Sequence, residues 1–338
     1  MNVSFIVGER PFRLRVKGRW LRGSVGALAA RVLAAHGGGL RVEDCCLRLD
    51  GAPVAPDAAA DGALRDACVV EVYRARVVVA TLLTGDFGPI FELWHARFSR
   101  ATDGRCALAV CCLDAAAERV ARDVAARAGR PVRVLGAADG FRPAADRRDL
   151  WTQRLAFVAR LVAEEAAGGG RDVVHSDCDA FWLGDARALV DGGAAPARFS
   201  VDHGLGRGAK PFALCCGFFR LRASAASLAL LATWREATDR VGDDQVAVNA
   251  LYDRDGRDFD LAPYERVQRC NCHHATTANP LVWHPWLDAT VDDKVYVWGA
   301  VLARLDAGDA GLLRAFYGAK PDVALTRAAL DGLLAAGA

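Results

Sequence analysis

Near the middle of the chain two carboxylates stand two positions apart, in Asp177-Cys178-Asp179, at the end of a short apolar run. Val173 and Val174 lead into them, and Phe181-Trp182-Leu183 and a further Asp185 follow. Where a strand ends the chain turns, and both carboxylates can then reach one divalent cation that prefers oxygen ligands. The spacing alone is cheap in a chain with 41 acidic residues, since Asp253-Arg-Asp255 and Asp258-Phe-Asp260 repeat it. Those two triplets lie in polar sequence with no apolar strand leading in, and they are expected as solvated loop. Cys270-Asn-Cys272-His273-His274 carries metal-ligating types, but consecutive side chains diverge, so a tetrahedral zinc site is not expected there. The 11 cysteines are odd in number and contain no C-x-x-C pair. The doublets Cys45/Cys46, Cys111/Cys112 and Cys215/Cys216 sit in strand-like apolar contexts, which suits buried free thiols better than a disulfide framework.

The elements that must position these groups alternate from Arg76 onward. Val77 to Leu83 is a continuous apolar run, as in a strand buried on both faces. Ile90 to Phe98 has helix-compatible spacing. Then come Cys106 to Leu113 as strand, Ala115 to Ala128 as helix, Val132 to Leu135 as strand and Leu150 to Ala167 as helix. On that last helix Leu155, Val158, Leu161 and Val162 share one face, with Gln153, Arg154 and Arg160 elsewhere. The strand Asp172 to His175 follows and delivers the two carboxylates. In open α/β sheets ligands sit beyond the carboxyl ends of the strands, which is where this acidic pair falls. His175 is expected to face the core. The glycine-rich stretch His203 to Gly208, with Arg207 and Lys210, reads as a connector.

The first 75 residues read differently. Val3 to Val7 and Pro11 to Lys17 predict a hairpin through Gly8. Ser24 caps a helix carrying Val25, Leu28, Ala29, Val32 and Leu33 at helical spacing, and Gly37 to Gly39 end it. Cys46 to Leu49, a turn at Asp50-Gly51 and a last strand Val69 to Tyr73 complete the order. That order, with CCLRLDGAPV and LRDACVVEVYRA, resembles the ubiquitin-like β-grasp fold. The resemblance implies a built-in module, residues 1–75, that meets a protein partner. Its last strand runs on through Ala75 into Arg76, so it lacks the free Gly-Gly end that conjugation needs. Arg13, Arg15, Lys17, Arg19 and Arg22 alternate with apolar residues and predict a charged outer strand face.

Most of Val77 to roughly Leu305 resembles the nucleotide-diphospho-sugar transferases of GT-A fold. DVVHSDCDAFWLGD looks like that family's metal-binding strand, LCCGFFRLRAS like its Asn-x-Gly-Phe-Phe strand, and DDQVAVNAL like its Asp-Gln-x-x-x-Asn helix start. VWHPWLDATVDDK places His284 and Lys294 ten positions apart, as in a His and Lys pair late in such transferases. The resemblance implies residues 76–338 as a GT-A domain, a Rossmann-like mixed sheet flanked by helices, with a helical C-terminal tail. It implies a hexosyl or pentosyl transferase whose carboxylates hold a divalent cation against the donor diphosphate. Asp177, Asp179 and His284 would bind the cation, Mn²⁺ more than Mg²⁺ because of the imidazole. Lys294 would meet the phosphates. Thr81, Thr84 and Asp86, at and after the end of the first strand, would hold base and ribose, and Arg154 would reach the donor. Asp244 and Gln245 would act at the transferring carbon, although Asp243 and Asp244 also read as a helix cap. Cys215 stands where the family more often has Asn, and Trp286 and Thr290 replace the usual residues after the His. Transfer is expected with retention, to a glycan, protein or small-molecule acceptor.

Two other readings stay open. A phosphatase of the haloacid dehalogenase type also uses Asp-x-Asp after an apolar strand, but Asp179-Ala-Phe-Trp lacks the residues it would want next. A non-catalytic ubiquitin-like adaptor fused to a degenerate nucleotide-sugar-binding domain would bind without turnover. Lys and Arg total 43 against the 41 acids, a formal charge of +2, which argues against nucleic acid as the main partner. No apolar stretch approaches the roughly 20 residues of a membrane span. Glu9 and Arg10 interrupt the first apolar run, so no signal peptide is expected and the chain is expected in the cytoplasm. A Golgi location would follow from the resemblance alone.

Overall fold

The computed structural model describes residues 2–7, 10–15, 24–36, 45–49, 52–53, 69–74, 77–102, 105–128, 132–186, 193–202, 211–263, 266–269, 280–285, 289–309, 311 and 327–335. At the N-terminus β1 (Asn2–Val7) and β2 (Arg10–Arg15) form an antiparallel pair. Helix α1 (Val25–His36) follows, and Ser24 Oγ accepts a hydrogen bond from Ala27 N at 3.1 Å. Its Val25, Leu28, Ala29 and Val32 are buried, as the helical spacing predicts. Next come β3 (Cys45–Leu49), β4 (Ala52–Pro53) and β5 (Val69–Arg74). The strand order is β2-β1-β5-β3-β4, with β1 and β5 parallel at the centre.

The α/β part opens with β6 (Val77–Leu83), a 3₁₀ turn Gly85–Phe87 and α2 (Gly88–Thr102). β7 (Ala107–Cys112), α3 (Ala115–Ala128), β8 (Val132–Leu135) and α4 (Arg147–Glu164) follow, and α4 runs into a π turn at Glu165–Gly169. After β9 (Asp172–Ser176) come β10 (Phe181–Trp182), β11 (Ala197–Asp202), β12 (Ala213–Leu221), α5 (Ala225–Val241) and α6 (Asp244–Arg254). β13 (Phe259–Leu261), β14 (Val267–Arg269), β15 (Val282–His284), α7 (Val291–Asp306) and α8 (Arg327–Ala335) complete the described chain. No described helix is long and apolar enough to cross a membrane.

Seven strands form one sheet in the order β13-β11-β12-β9-β6-β7-β8. β9, β6, β7 and β8 are parallel neighbours, so their carboxyl ends share one edge. β12 runs antiparallel to both β9 and β11, which brings its start to that same edge. Between Phe199 and Ser200 the β11–β12 register jumps from Phe219 to Cys215, so Cys216, Gly217 and Phe218 bulge out of that ladder. Bulges re-aim side chains, and this one lies beside the end of β9. A second sheet, β10-β15-β14, packs nearby.

Apolar side chains fill both faces. On one, Trp94 and Phe98 of α2, Ala117 and Val124 of α3 and Trp298 of α7 cover Val79, Val110 and Val174, with Trp182 and Trp283 of the small sheet. On the other, Leu155 and Val158 of α4, Leu231 and Trp234 of α5 and Val248 of α6 cover Val78, Val173 and Phe219. Each large side chain fully buried this way contributes on the order of 1.5–3 kcal/mol. Two sequence expectations are corrected. Gln153 and Arg154 of α4 are 9% and 3% exposed, so the buried arc of that helix is wider than its apolar stripe. Asp260 lies within β13, an edge strand, and not in solvated loop. The cysteines of the described doublets Cys111/Cys112 and Cys215/Cys216 are buried, in keeping with the sequence reading. The Cys270 to His274 cluster, the His203 to Gly208 stretch with Lys210, and Trp286 lie outside the described residues.

Candidate active site at the carboxyl end of β9

β9 is buried between β6 and β12, and its end is fixed by hydrogen bonds to its surroundings. Asp177 N donates to Gly217 O at 2.8 Å, and Ala180 N donates to Asp177 O at 2.9 Å, closing a turn. Ser176 Oγ receives the indole N–H groups of Trp94 at 3.3 Å and Trp182 at 3.1 Å, and Trp94 Nε1 also donates to Ala180 O at 2.9 Å. The turn carries Asp177 and Asp179 on this rigid frame. β10 pairs antiparallel with β15, Phe181 opposite Trp283, and Leu183 N donates to Leu281 O at 2.9 Å. That pairing delivers His284, at the end of β15, to the acidic pair.

His284 Nε2 is 3.2 Å from Asp179 Oδ1 and 3.9 Å from Asp177 Oδ2. Two ligand atoms each about 2.1 Å from one cation lie at most about 4.2 Å apart, so both separations fit a shared divalent ion. Among the described His, Cys, Asp and Glu side chains, Asp177, Asp179 and His284 form the group whose ligand atoms all lie within 4.8 Å of one another. On its other ring nitrogen, Nδ1, His284 meets Cys215 Sγ at 3.7 Å. Gly217 lies against both partners: a Cβ there would run into the His284 ring and come within 2.8 Å of Asp177 Oδ2. Glycine is therefore needed at this point of β12 for close approach.

Behind the acidic pair lies a buried charge network. Arg154 Nη1 donates to Asp177 Oδ1 at 3.2 Å, and its Nη2 binds Asp244 Oδ2. The guanidinium is also 4.5 Å from the Trp151 ring centroid, in cation–π range. His175 Nε2 lies 2.9 Å from Asp177 Oδ1. Burial works to raise the Asp177 carboxyl, but the His175 hydrogen bond and the Arg154 and His284 charges hold it well below the usual carboxylate range. Burial pushes the Asp244 carboxyl up against the pull of Arg154. Burial also lowers His175 below its ordinary value, opposed by the hydrogen bond to Asp177. The Cys178 and Cys216 thiols are pushed well above theirs by burial, which removes them as nucleophiles.

The remaining residues expected from the sequence fall around this centre. Asp244, the first residue of α6, is 2% exposed and bound to Arg154, while Asp243 is the actual cap, accepting from Val246 N at 2.8 Å. Gln245 Oε1 accepts from Cys216 N at 3.3 Å. Asn249, one turn on, pins the start of β12 by exchanging hydrogen bonds with Leu214, at 2.7 and 3.0 Å. Thr81 is fully buried in β6 and its Oγ1 has no hydrogen-bond partner. Thr84 is half-buried and Asp86 exposed in the turn after β6. Lys294 stands with its ammonium 5.3 Å from the Phe87 ring centroid and 5.8 Å from that of Trp298, beside that turn. Sequence reasoning missed His175 as a partner of Asp177, Cys215 as a partner of His284, and the need for Gly217. A glycine inside a nine-residue apolar strand was the one signal available in advance.

A family model for nucleotide-diphospho-sugar transferases matches residues 110–273, just under half of the chain. Among solved structures, the glycosyltransferase GlyE of Streptococcus pneumoniae TIGR4 superimposes with a TM-score of 0.50 at 12% identity, covering 78% of this chain and 64% of that one. The chain thus spans less than two thirds of GlyE. An active-site mutant of LgtC gives 0.50 at 16% identity over 69% of this chain and 95% of that one. The galactosyltransferase LgtC in complex with donor and acceptor sugar analogues gives 0.49 at 17% identity. No curated protein sequence matches the chain. The likeness to these structures is one of fold, a mixed, mostly parallel seven-stranded sheet flanked by helices, and the family match falls within that part of the chain.

Proposed function

We propose that the protein is a cation-dependent glycosyltransferase that moves a hexosyl or pentosyl group from a nucleoside-diphosphate donor to an acceptor, with retention. The observation that carries this reading is the convergence of Asp177, Asp179 and His284 at the carboxyl end of a parallel strand. Two carboxylates and one imidazole suit Mn²⁺ over Mg²⁺, the softer nitrogen ligand making the difference. Such a cation supplies Lewis-acid stabilisation of the charge that grows on the departing diphosphate. The chain's own groups do the rest. Thr84, Asp86 and Lys294 lie around the turn after β6, where base, ribose and phosphate would be held. Arg154 keeps Asp177 ionised and in place, and Asp244 acts on the site through Arg154. Gln245, anchored by its Oε1, offers its amide N–H₂ toward the sugar. Asp244 is committed to Arg154, which takes it away from service as an inverting base and favours retention.

Residues 1–75 we read as a β-grasp, ubiquitin-like module that binds a protein partner, and 76–338 as the transferase domain with its helical tail. The strand order β2-β1-β5-β3-β4 and the placement of α1 support this division. The test of the main reading is release of nucleoside diphosphate from a panel of nucleotide-sugars, with Mn²⁺, with Mg²⁺ and with chelator. Mn²⁺-dependent release that Asp179→Asn abolishes supports it. Binding of a nucleotide-sugar with no release under any condition would make the protein a non-catalytic binder, and release untouched by chelator would remove the cation.

A further inference from the structure

His175 is out of character for its position. β9 is an inner strand, Val173 and Val174 before it are fully buried, and His175 itself is 0% exposed. Such strands take Val, Ile or Leu, and an imidazole placed there must give up the hydration of both ring nitrogens. Its ring lies on Phe219, centroids 4.9 Å apart, as a phenyl ring would. Its Nδ1 is buried with no hydrogen-bond partner. Its one polar contact is Nε2 to Asp177 Oδ1 at 2.9 Å. A carboxylate oxygen only accepts, so the proton of that bond is on Nε2 and Nδ1 carries a bare, buried lone pair. For stability alone, this histidine is a poor choice.

The contact does have a use at the next residue pair. Oδ1 of Asp177 receives His175 and, at 3.2 Å, Arg154, so both donors hold the same oxygen. Oδ2 is left as the oxygen that faces His284 at 3.9 Å. Arg154 alone would hold Asp177 loosely, because its other arm is committed to Asp244. Two donors arriving from β9 and from α4 fix the carboxylate plane.

We propose that His175 is a positioning residue: by donating from Nε2 to Asp177 Oδ1 it orients that carboxylate so that Oδ2 is presented, with Asp179 and His284, to a divalent cation. The proposal rests on the cation-site reading above. Hydrogen bonds that orient metal ligands are worth about 10–100-fold in metal affinity when removed.

The experiment titrates the full chain with Mn²⁺ alone, without nucleotide, by isothermal calorimetry, and follows thermal unfolding in chelator. Wild type, His175→Phe, His175→Gln and Asp179→Asn are compared. In His175→Phe the ring contact with Phe219 is kept and the orphaned lone pair is gone. Its unfolding temperature in chelator is expected to hold or rise while Mn²⁺ affinity falls about 10–100-fold. His175→Gln, which restores an N–H donor, is expected to recover part of the affinity. Affinity and stability moving in opposite directions is a result that a packing role does not produce. Unchanged Mn²⁺ affinity in His175→Phe overturns the proposal, as does a joint loss of stability and affinity that His175→Gln leaves uncorrected. If wild type itself takes up no Mn²⁺ and matches Asp179→Asn, the cation site is what fails, and the proposal goes with it.

Discussion

Arg154 binds carboxylates from two different elements, Asp177 after β9 and Asp244 at the start of α6, while itself 3% exposed. Removing one member of a buried ion pair leaves the other charged and unsolvated, a cost of about 3–5 kcal/mol. Arg154→Met is therefore expected to lower unfolding stability by about that much, and adding Asp244→Asn to recover a good part of it. Denaturant titration of both single variants and the double measures the coupling, and an additive cycle would show that the two groups do not depend on each other. At Gly217 the constraint is steric. Gly217→Ala pushes a methyl into His284 and Asp177, with an expected overpacking cost of about 1–3 kcal/mol and weaker Mn²⁺ binding. An unperturbed Mn²⁺ isotherm for that variant would mean the two side chains have room to move aside. The acidic pair could be read in the sequence because a buried strand leads straight into it. Arg154 with Asp244 could not, since 90 positions separate them and only the crossing of α4 and α6 joins them.

Among the elements, α4 has the most fully built start. Asp146 Oδ1 accepts from Asp149 N at 2.8 Å, and Asp149 in turn accepts from Ala145 N at 2.8 Å and from the Arg142 fork at 2.6 and 3.0 Å. The hydrogen bond from Ala145, followed by Arg142, holds the Asp149 carboxyl below its ordinary value. A group whose pKa is lower folded than unfolded contributes stability that is complete above the unfolded value and is lost as pH falls through the folded one. The gap in unfolding temperature between wild type and Asp149→Asn is expected to be full at neutral pH and to close as pH falls below the ordinary aspartate value of about 3.9. A gap of constant size down to acid pH would assign the effect to shape and not to charge. Elements with a clear local signal were the legible ones: Val77–Leu83 is an unbroken apolar run and Ala115–Ala128 a long alanine-rich helix, and both have the ends expected. β10 and β15, of two and three residues, hold no period to read, yet their pairing is what brings His284 to Asp179. The bulge in β12 is equally silent, because a register jump is a property of two strands together.

For the molecule as a whole, the N-terminal sheet and the seven-stranded sheet have separate hydrogen-bonded ladders. Among the described residues no strand of the N-terminal sheet pairs with the seven-stranded one, and neither of the two large core clusters includes a residue before Val77. The α/β part closes on itself from the other end: Arg97 of α2 donates to Leu302 O at 2.5 Å and to Asp306 at 2.8 Å, which ties α7 over the same face that supports the turn after β9. Beyond it, Tyr296 bonds Asp331 at 2.8 Å and Leu330 is fully buried, so α8 is joined to α7. Every residue proposed for donor, cation or transfer lies from Thr81 onward. Removal of residues 1–75 is therefore expected to leave the unfolding of the α/β part cooperative and its Mn²⁺-dependent release of nucleoside diphosphate unchanged, while capture of a protein partner is lost. The measurement is the same release assay on full-length and shortened chains, beside calorimetric unfolding of each. A shortened chain that unfolds cooperatively but no longer turns over donor would make the N-terminal sheet part of the active site, and the division at Ala75 would have to be abandoned.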